Sequence, residues 1–255
     1  MNIISYNLNG IRSAMKKGFA EWLAEENPDI IAIQETKATE DVVDALPLLK
    51  LGYELFWFSA NKKGYSGVAV FSKIKPIAVH YGNEYEQSNF EGRVITLEFP
   101  DFTLINAYFP SGTTGEIRQT YKYQWLEEFF AYVASVQQKQ ANVVVCGDYN
   151  ICHKEIDIHD PVGNKKSSGF LPEERAWMDK WFEHAGFTDT FRIHNQNPHE
   201  YSWWSQRAGS RDRNKGWRID YISVSEALKH KVSAAAILQQ VKHSDHCPVK
   251  AVLDL

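Results

Sequence analysis

Val143-Val144-Val145-Cys146 is a β-type run that stops at Gly147-Asp148-Tyr149-Asn150, so an apolar strand ends on a carboxylate and a carboxamide. The same event recurs along the chain. Ile3-Ile4-Ser5-Tyr6 runs into Asn7, Ile30 to Gln34 into Glu35, and Leu104-Ile105-Asn106-Ala107 into Tyr108. Gly216-Trp217-Arg218-Ile219 leads to Asp220, and Ser244-Asp245-His246-Cys247 precedes the last apolar run. One strand-terminal Asp or Asn is an ordinary turn or helix cap. Several in one chain point further, because strand ends on one side of a sheet system converge and ligands bind there in many α/β folds. Clustered carboxylates repel one another unless a cation joins them, and oxygen donors without cysteine favour Mg²⁺ or Mn²⁺ over zinc. A His and a Tyr added to such a cluster suggest metal-assisted hydrolysis of a phosphate ester. Asp148 and Asn150, two apart, point to one side of an extended chain, whereas the adjacent Asp245 and His246 point to opposite sides and suit different tasks.

Around these ends the chain alternates. Strand patterns cover Ile3 to Leu8, Ile30 to Gln34, Val68 to Phe71, Val94 to Phe99, Leu104 to Phe109, Val143 to Cys146, Ile219 to Val224 and Pro248 to Leu253. Helical patterns cover Gly18 to Glu26, closed by Asn27-Pro28, then Ile117 to Gln138 with Trp125, Phe129, Phe130 and Val133 on one face, and Pro172 to Ala185. The mixture predicts an α/β protein with more than one sheet, covered by helices. No linker, charge block or low-complexity tract divides it, so residues 1–255 read as one domain. ISYNLN and VCGDYN both run a strand into an Asn, as an internal duplication or the ordinary preference for Asn at strand ends would produce.

Composition narrows the class. The three cysteines (Cys146, Cys152, Cys247) form no CxxC pair, which argues against a disulfide framework or structural zinc and for a reducing, cytoplasmic setting. No apolar run approaches the roughly 18 residues of a membrane span, so no membrane partner is expected. MNIISYNLNG has no basic region followed by an apolar stretch and does not read as a signal peptide. The net charge of −4 excludes gross attraction to nucleic acid but leaves room for a local basic face.

Ten motifs together carry a resemblance. They are Asn7-Leu8-Asn9-Gly10-Ile11-Arg12, Gln34-Glu35-Thr36-Lys37, Gly64-Tyr65-Ser66-Gly67-Val68-Ala69, Glu91-Gly92-Arg93, Asn106-Ala107-Tyr108-Phe109-Pro110, Gly147-Asp148-Tyr149-Asn150, Gly163-Asn164-Lys165-Lys166, Gly169-Phe170-Leu171-Pro172-Glu173-Glu174-Arg175, Gly216-Trp217-Arg218-Ile219-Asp220-Tyr221 and Ser244-Asp245-His246-Cys247-Pro248. In combination the chain resembles the exonuclease III family of apurinic/apyrimidinic (AP) endonucleases over residues 2–254. The resemblance implies an endonuclease/exonuclease/phosphatase fold, a four-layered sandwich of two packed mixed β-sheets flanked by helices. It implies incision of duplex DNA on the 5′ side of an abasic site, leaving a 3′-hydroxyl and a 5′-deoxyribose phosphate, with 3′-5′ exonuclease action and trimming of blocked 3′ ends. A monomer that acts on DNA in the cytoplasm or nucleoid is expected.

The resemblance also implies roles. Asn7 and Glu35 would sit at the metal with Asp245 nearby, and Asp148 would orient or deprotonate the attacking water that Asn150 positions. His246, paired with Asp220, would bind a phosphate oxygen, since an adjacent carboxylate keeps an imidazole cationic. Tyr108 would hydrogen-bond the phosphate, as proton donor or phenolate. The cofactor would be one or two Mg²⁺ ions, with Mn²⁺ as a substitute, and Asp148, Asn150 and His246 would form the second site. Trp203, Trp217 and Ile219 would line a pocket for the bare sugar, which costs less to extrude than a paired nucleotide. Three departures stand out: Asn9 where another branch has Asp, Ser111 where relatives carry Asn or Gln, and Arg207 near an apolar wedge of some relatives. The lack of an N-terminal extension reads the chain as the catalytic domain alone.

For the DNA-facing surface, basic residues beside aromatics combine phosphate neutralisation with stacking. Arg207, Arg211, Arg213, Lys215 and Arg218 lie among Trp203, Trp204 and Trp217, while Lys62, Lys63, Tyr65, Asn164, Lys165 and Lys166 sit at flexible turns. Arg12, Arg93, Ser111, Arg118 and Lys122 complete the candidates, and the acidic balance should lie on the far side. Two other readings compete. One keeps the fold and changes the substrate to RNA, a phosphoinositide or sphingomyelin; the Gly-Trp-Arg-Ile-Asp-Tyr segment argues against it. The other is a non-catalytic DNA-binding module, which the presence of Glu35, Asp148, Asp220 and His246 together opposes.

Overall fold

The computed structural model describes residues 1–207 and 209–255. In chain order the strands are β1 (Asn2–Asn7), β2 (Ile30–Gln34), β3 (Glu54–Phe58), β4 (Val68–Ser72), β5 (Ala78–Tyr81), β6 (Val94–Glu98) and β7 (Thr103–Tyr108). They continue as β8 (Val143–Asp148), β9 (Phe187–Asp189), β10 (Trp203–Trp204), β11 (Gly216–Trp217), β12 (Asp220–Ser225), β13 (Val232–Ile237) and β14 (Val249–Leu253). Two six-stranded sheets result, ordered β13-β14-β1-β2-β4-β3 and β5-β6-β7-β8-β12-β9, with a small β10-β11 ribbon beside them. Each large sheet is mixed: β1 and β2 are parallel in the first, β7 and β8 in the second, and every other pairing is antiparallel.

Alternation along the strands sets the layers. Ile3, Ile30, Val68 and Val70 of one sheet meet Ile95, Leu97, Leu104, Val144 and Ile222 of the other in a shared core. Their sequence neighbours point outward. Ile4, Tyr6, Ile31 and Ile33 pack on the helices Ile11–Lys16 and Phe19–Glu26, and Ile105, Val143 and Val145 pack on Trp125, Phe129, Met178 and Trp181 of the helices Glu116–Gln137 and Pro172–Glu183. Both faces of the central strands are therefore covered, which is why β2 and β8 read as apolar runs broken only near their ends. This is the four-layered sandwich of two mixed sheets that the family resemblance implies.

The strands missing from the sequence reading are β3, β5, β9, β10, β11 and β13. β3, β5, β9 and β13 are sheet edges and the other two form the two-residue ribbon. Edge strands bury only part of their side chains, so a run such as Val232-Ser233-Ala234-Ala235-Ala236-Ile237 carries little hydrophobic signal. The possible duplication also takes a different form. The two strand orders superimpose when β1 is set on β7 and β2 on β8. ISYN therefore corresponds in topology to LINAY, and the likeness of ISYNLN to VCGDYN crosses that equivalence.

Two features fix the floor of the site. Asn106 of β7 donates through Nδ2 to the carbonyls of Ile33 (3.0 Å) and Ala69 (2.9 Å) in the opposite sheet and accepts from Gln34 Nε2 at 2.7 Å. Its burial is complete, so each lost bond would leave a costly unpaired group. At Gly147 a Cβ would lie 1.8 Å from the Ala107 carbonyl, so any side chain there would wedge β7 from β8 below Tyr108 and Asp148.

Candidate active site

The pairing register assembles the site. Tyr108 is level with Asp148 across the parallel pair, and Asp148 is level with Asp220 across the antiparallel one. Two carboxylates thus face each other directly in a sheet, an arrangement that is repulsive without a partner. His246 supplies that partner. Its Nδ1 lies 2.9 and 3.1 Å from the two Asp220 oxygens, and its Nε2 lies 3.9 Å from Asp148 Oδ2. Burial opposes the imidazolium, but Asp220 and Asp148 outweigh it and push the His246 pKa up to about 10. Ser202 fixes Asp220 by donating its hydroxyl to Oδ2 at 2.6 Å.

The other sheet meets this row through Asn7. Asn7 Nδ2 reaches Asp148 Oδ2 at 2.8 Å and Glu35 Oε1 at 3.0 Å. Glu35 has a left-handed backbone (φ 51°), which turns its carboxylate off the end of β2. Burial opposes its ionisation, yet Lys37, 2.7 Å away, holds Glu35 below the usual carboxylate range. Asp148 goes the other way: burial, then Asp220 and Glu35, push it up to about 7 against the attraction of His246. Asn150 has a left-handed backbone too, and in it N–H donates to Asp148 Oδ1 at 2.8 Å while Nδ2 donates to the Phe109 carbonyl at 3.0 Å. Between these polar residues Phe109 and Tyr149 point inward and stack at 4.3 Å, so aromatic packing anchors the polar row from below.

Glu35, Asp148 and His246 each bring a ligand atom within 4.8 Å of the others. The raised Asp148 pKa, caused by burial and neighbouring carboxylates, marks a place where added positive charge is favourable, and the hard oxygen donors suit a divalent cation such as Mg²⁺ or Mn²⁺. Asp245 stands beside this group rather than in it: its Oδ1 accepts from Asn9 Nδ2 at 2.9 Å and its Oδ2 from Trp203 Nε1 at 3.2 Å. Tyr108 lines the cleft, and burial, reinforced by Glu35 and opposed by Arg93, raises its pKa well above the usual phenol range.

The cleft above has a volume of about 670 Å³ and is lined by Glu35, Tyr108, Asp148, Asp245 and His246 on one side. Trp203, Trp217 and Ile219 form an apolar part of its wall over Cys152, Ile158 and Phe170. The two indoles meet edge to face at 6.0 Å. Both are half-buried, so these residues are at once satellite core and cleft wall.

The basic candidates separate. Arg12 lines a recess with Lys37, Lys62, Lys63 and Tyr65, and that recess shares Lys62 and Tyr65 with a second, which also holds Arg118 and joins the main cleft at Tyr108 and Ser111. Arg207 and Lys165 are exposed, whereas Asn164 is half-buried and spends its amide on the His159 and Asp160 carbonyls. Three expectations need correction. Arg93 is 1% exposed and bound to Glu91 and the Tyr108 carbonyl; Lys122 is wholly buried against Glu174. In the basic run, Arg218 is buried with Asp157 and Asp189, and Arg211 donates to the carbonyls of Ser244, Gln239 and Val241. Of the five basic residues in that run, Arg207, Arg213 and Lys215 have exposed side chains. Sequence reasoning gave no role to Lys37, Ser202 or Asn106. The signal for Asn106 was present: a carboxamide inside the apolar run Leu104 to Ala107 must bond within the core.

Comparison with known proteins adds what geometry does not. Residues 4–246 match the model of the "Endonuclease/Exonuclease/phosphatase family". The chain is 45% identical to an exodeoxyribonuclease of Bacillus subtilis over the whole of both proteins. It is 40% identical to the DNA repair nuclease APEX1 of Danio rerio, covering 99% of this chain and 82% of that protein. Among solved structures it resembles a 3′-5′ exonuclease of Neisseria meningitidis (TM-score 0.91, 28% identity, full coverage of both chains). An AP endonuclease of Archaeoglobus fulgidus is similar at TM-score 0.88 and 29% identity, again over both whole chains.

Proposed function

Because the chain belongs to the endonuclease/exonuclease/phosphatase family and is a DNA repair nuclease of its AP endonuclease and exonuclease branch, we propose that it incises duplex DNA 5′ to abasic sites. The products are a 3′-hydroxyl and a 5′-deoxyribose phosphate, and the same site removes nucleotides or blocking groups from 3′ ends. One observation carries this reading: His246, held cationic by Asp220, and Asp148, a carboxylate of raised pKa, stand 3.9 Å apart in a cleft whose wall includes the apolar Trp203, Trp217 and Ile219.

The residues divide the work. His246, charged through Asp220, presents its Nε2 proton to a phosphate oxygen; that proton occupies the position a metal would need, which favours phosphate contact over ligation. Asp148 accepts the proton of the attacking water, with Asn150 holding its carboxylate in one orientation. Tyr108, kept protonated, acts as a hydrogen-bond donor rather than a phenolate. Glu35 and Asp148 with Asn7, and Asp245 nearby, would hold a Mg²⁺ or Mn²⁺ ion, which supplies Lewis-acid stabilisation of charge on the phosphate. Trp203, Trp217 and Ile219 offer the extruded sugar a recess with an apolar wall.

The test is nicking of a labelled abasic duplex with and without chelator, with the termini of both products identified. A 3′-hydroxyl product that disappears on chelation and returns with Mg²⁺ or Mn²⁺ is expected; full activity after exhaustive chelation would remove the metal from the reading.

A further inference from the structure

Lys122 projects from the helix Glu116–Gln137 with no exposed surface, and its Nζ lies 2.6 Å from Oε1 of an equally buried carboxylate, Glu174. A buried ion pair is weak evidence of stability, because desolvating both charges offsets their attraction. What this pair holds is position. Lys122 Nζ also donates to the backbone carbonyl of Asn150 at 2.8 Å. The other Glu174 oxygen accepts from the amides of Gly169 (2.6 Å) and Leu171 (3.0 Å). Gln119, on the same helix as Lys122, donates to Glu174 Oε1 at 3.1 Å and accepts from the Ser168 hydroxyl at 2.6 Å.

One connected set of bonds thus joins Asn150 to the segment 167–171. Asn150 sits in a left-handed conformation that its surroundings must maintain, and there it donates to Asp148. Ser167, Ser168, Gly169, Leu171 and Gln119 line the cleft, and Gly169 approaches Trp217 so closely that a Cβ would lie 2.9 Å from the ring. Through Lys122 and Gln119 the helix is therefore tied both to Asn150 beside Asp148 and to the segment that forms part of the cleft wall.

We propose that Lys122 and Glu174 are positioning residues that fix Asn150 beside Asp148 and set the 167–171 segment against the recess, governing both the hydrolytic rate and the preference for a sugar without a base. The proposal rests on the reading of Asn150, Asp148 and the recess given above.

The test uses Lys122→Met/Glu174→Gln, which removes both charges and keeps an acceptor for Gly169 and Leu171, together with Lys122→Arg and Gln119→Ala. Thermal stability, kcat and KM on an abasic duplex, and the rate on a recessed undamaged 3′ end are measured for each. The double variant should stay folded and lose about tenfold or more in kcat, with KM within about twofold of wild type. Its ratio of exonuclease to abasic incision should rise, and Lys122→Arg should regain most of the kcat. Gln119→Ala, which removes the contact to Ser168 and one of the contacts to Glu174 while leaving Lys122 on Asn150, should shift that ratio by a larger factor than it lowers kcat. Wild-type kcat and ratio in a folded double variant overturn the proposal, as does parallel loss of both activities in step with stability. If the double variant fails to fold, an unchanged ratio in Gln119→Ala overturns it alone. Failure of the wild-type enzyme to nick abasic DNA overturns the underlying reading instead.

Discussion

Asp148 and His246 show how one residue acquires a function from its neighbours. An aspartate on an exposed strand end would be an ordinary anion; here burial and the facing Asp220 raise its pKa toward neutrality. Asp148→Asn and His246→Ala should each slow abasic incision by at least ~10², while binding of abasic duplex changes little, because both groups act mainly on developing charge. Near wild-type incision by Asp148→Asn, measured under single-turnover conditions, would remove it as the base. Trp203 makes a second residue-scale forecast, since its ring faces the recess and its N–H is committed to Asp245. Trp203→Phe keeps the ring and drops the donor, so it should raise the Mg²⁺ or Mn²⁺ concentration needed for half-maximal incision without weakening abasic binding. Trp203→Ala should weaken both. An unchanged metal requirement in Trp203→Phe would separate the indole from the carboxylate.

At the scale of elements, the strand and helix ends behind the cleft are pinned by charge. Asp157, in the 3₁₀ turn Glu155–Asp157, lies 2.8 Å from Arg218 Nε and 2.5 Å from Arg192. Burial raises its pKa, but Arg218 and then Arg192 overcome that and lower it to about 2. A carboxylate depressed in the folded state stabilises it fully above its unfolded pKa, and that stability is lost as pH falls through the folded value. Asp157 should therefore contribute about 2 kcal/mol near neutrality that disappears as the pH falls from about 4 to 2. Asp157→Asn should flatten the acid limb of a urea-stability profile in that window; an identical limb would place the acid sensitivity elsewhere. Boundaries were largely legible at this scale. Gln34 closes β2 as read, and the helix Pro172–Glu183 begins at the proline the sequence marks. The misses were the edge strands, the two-residue ribbon and short helices such as Ile11–Lys16 and Thr190–His194, whose few residues carry too little periodicity to read.

For the molecule as a whole, a net charge of −4 means that the proposed binding of DNA has to draw on local basic side chains. Of the basic candidates, Arg12, Lys62, Lys165 and Arg207 have exposed side chains, whereas Arg93 and Lys122 are buried against carboxylates. Lys165→Ala and Arg207→Ala should each weaken binding to damaged and undamaged duplex alike and lower the salt slope by roughly one unit. Lys122→Ala should leave the slope unchanged; a slope that fell with it would mean that the ammonium reaches DNA. By itself the sequence determined the class of layers, the strands that run through the centre and the polar residues at their ends, because apolar periodicity and its interruption are local properties of the chain. It also carried the motifs by which Asn7, Glu35, Tyr108, Asp148, Asp220, Asp245 and His246 were singled out. Only the tertiary structure decided which of them touch, since the register that sets Tyr108 level with Asp148 and Asp220, and the sheet packing that brings Asn7 to Asp148, join residues as far as 141 positions apart. It alone decided which cations are free and which are buried against a carboxylate, because a lysine or arginine reads the same in sequence whether its charge faces water or an ion-pair partner.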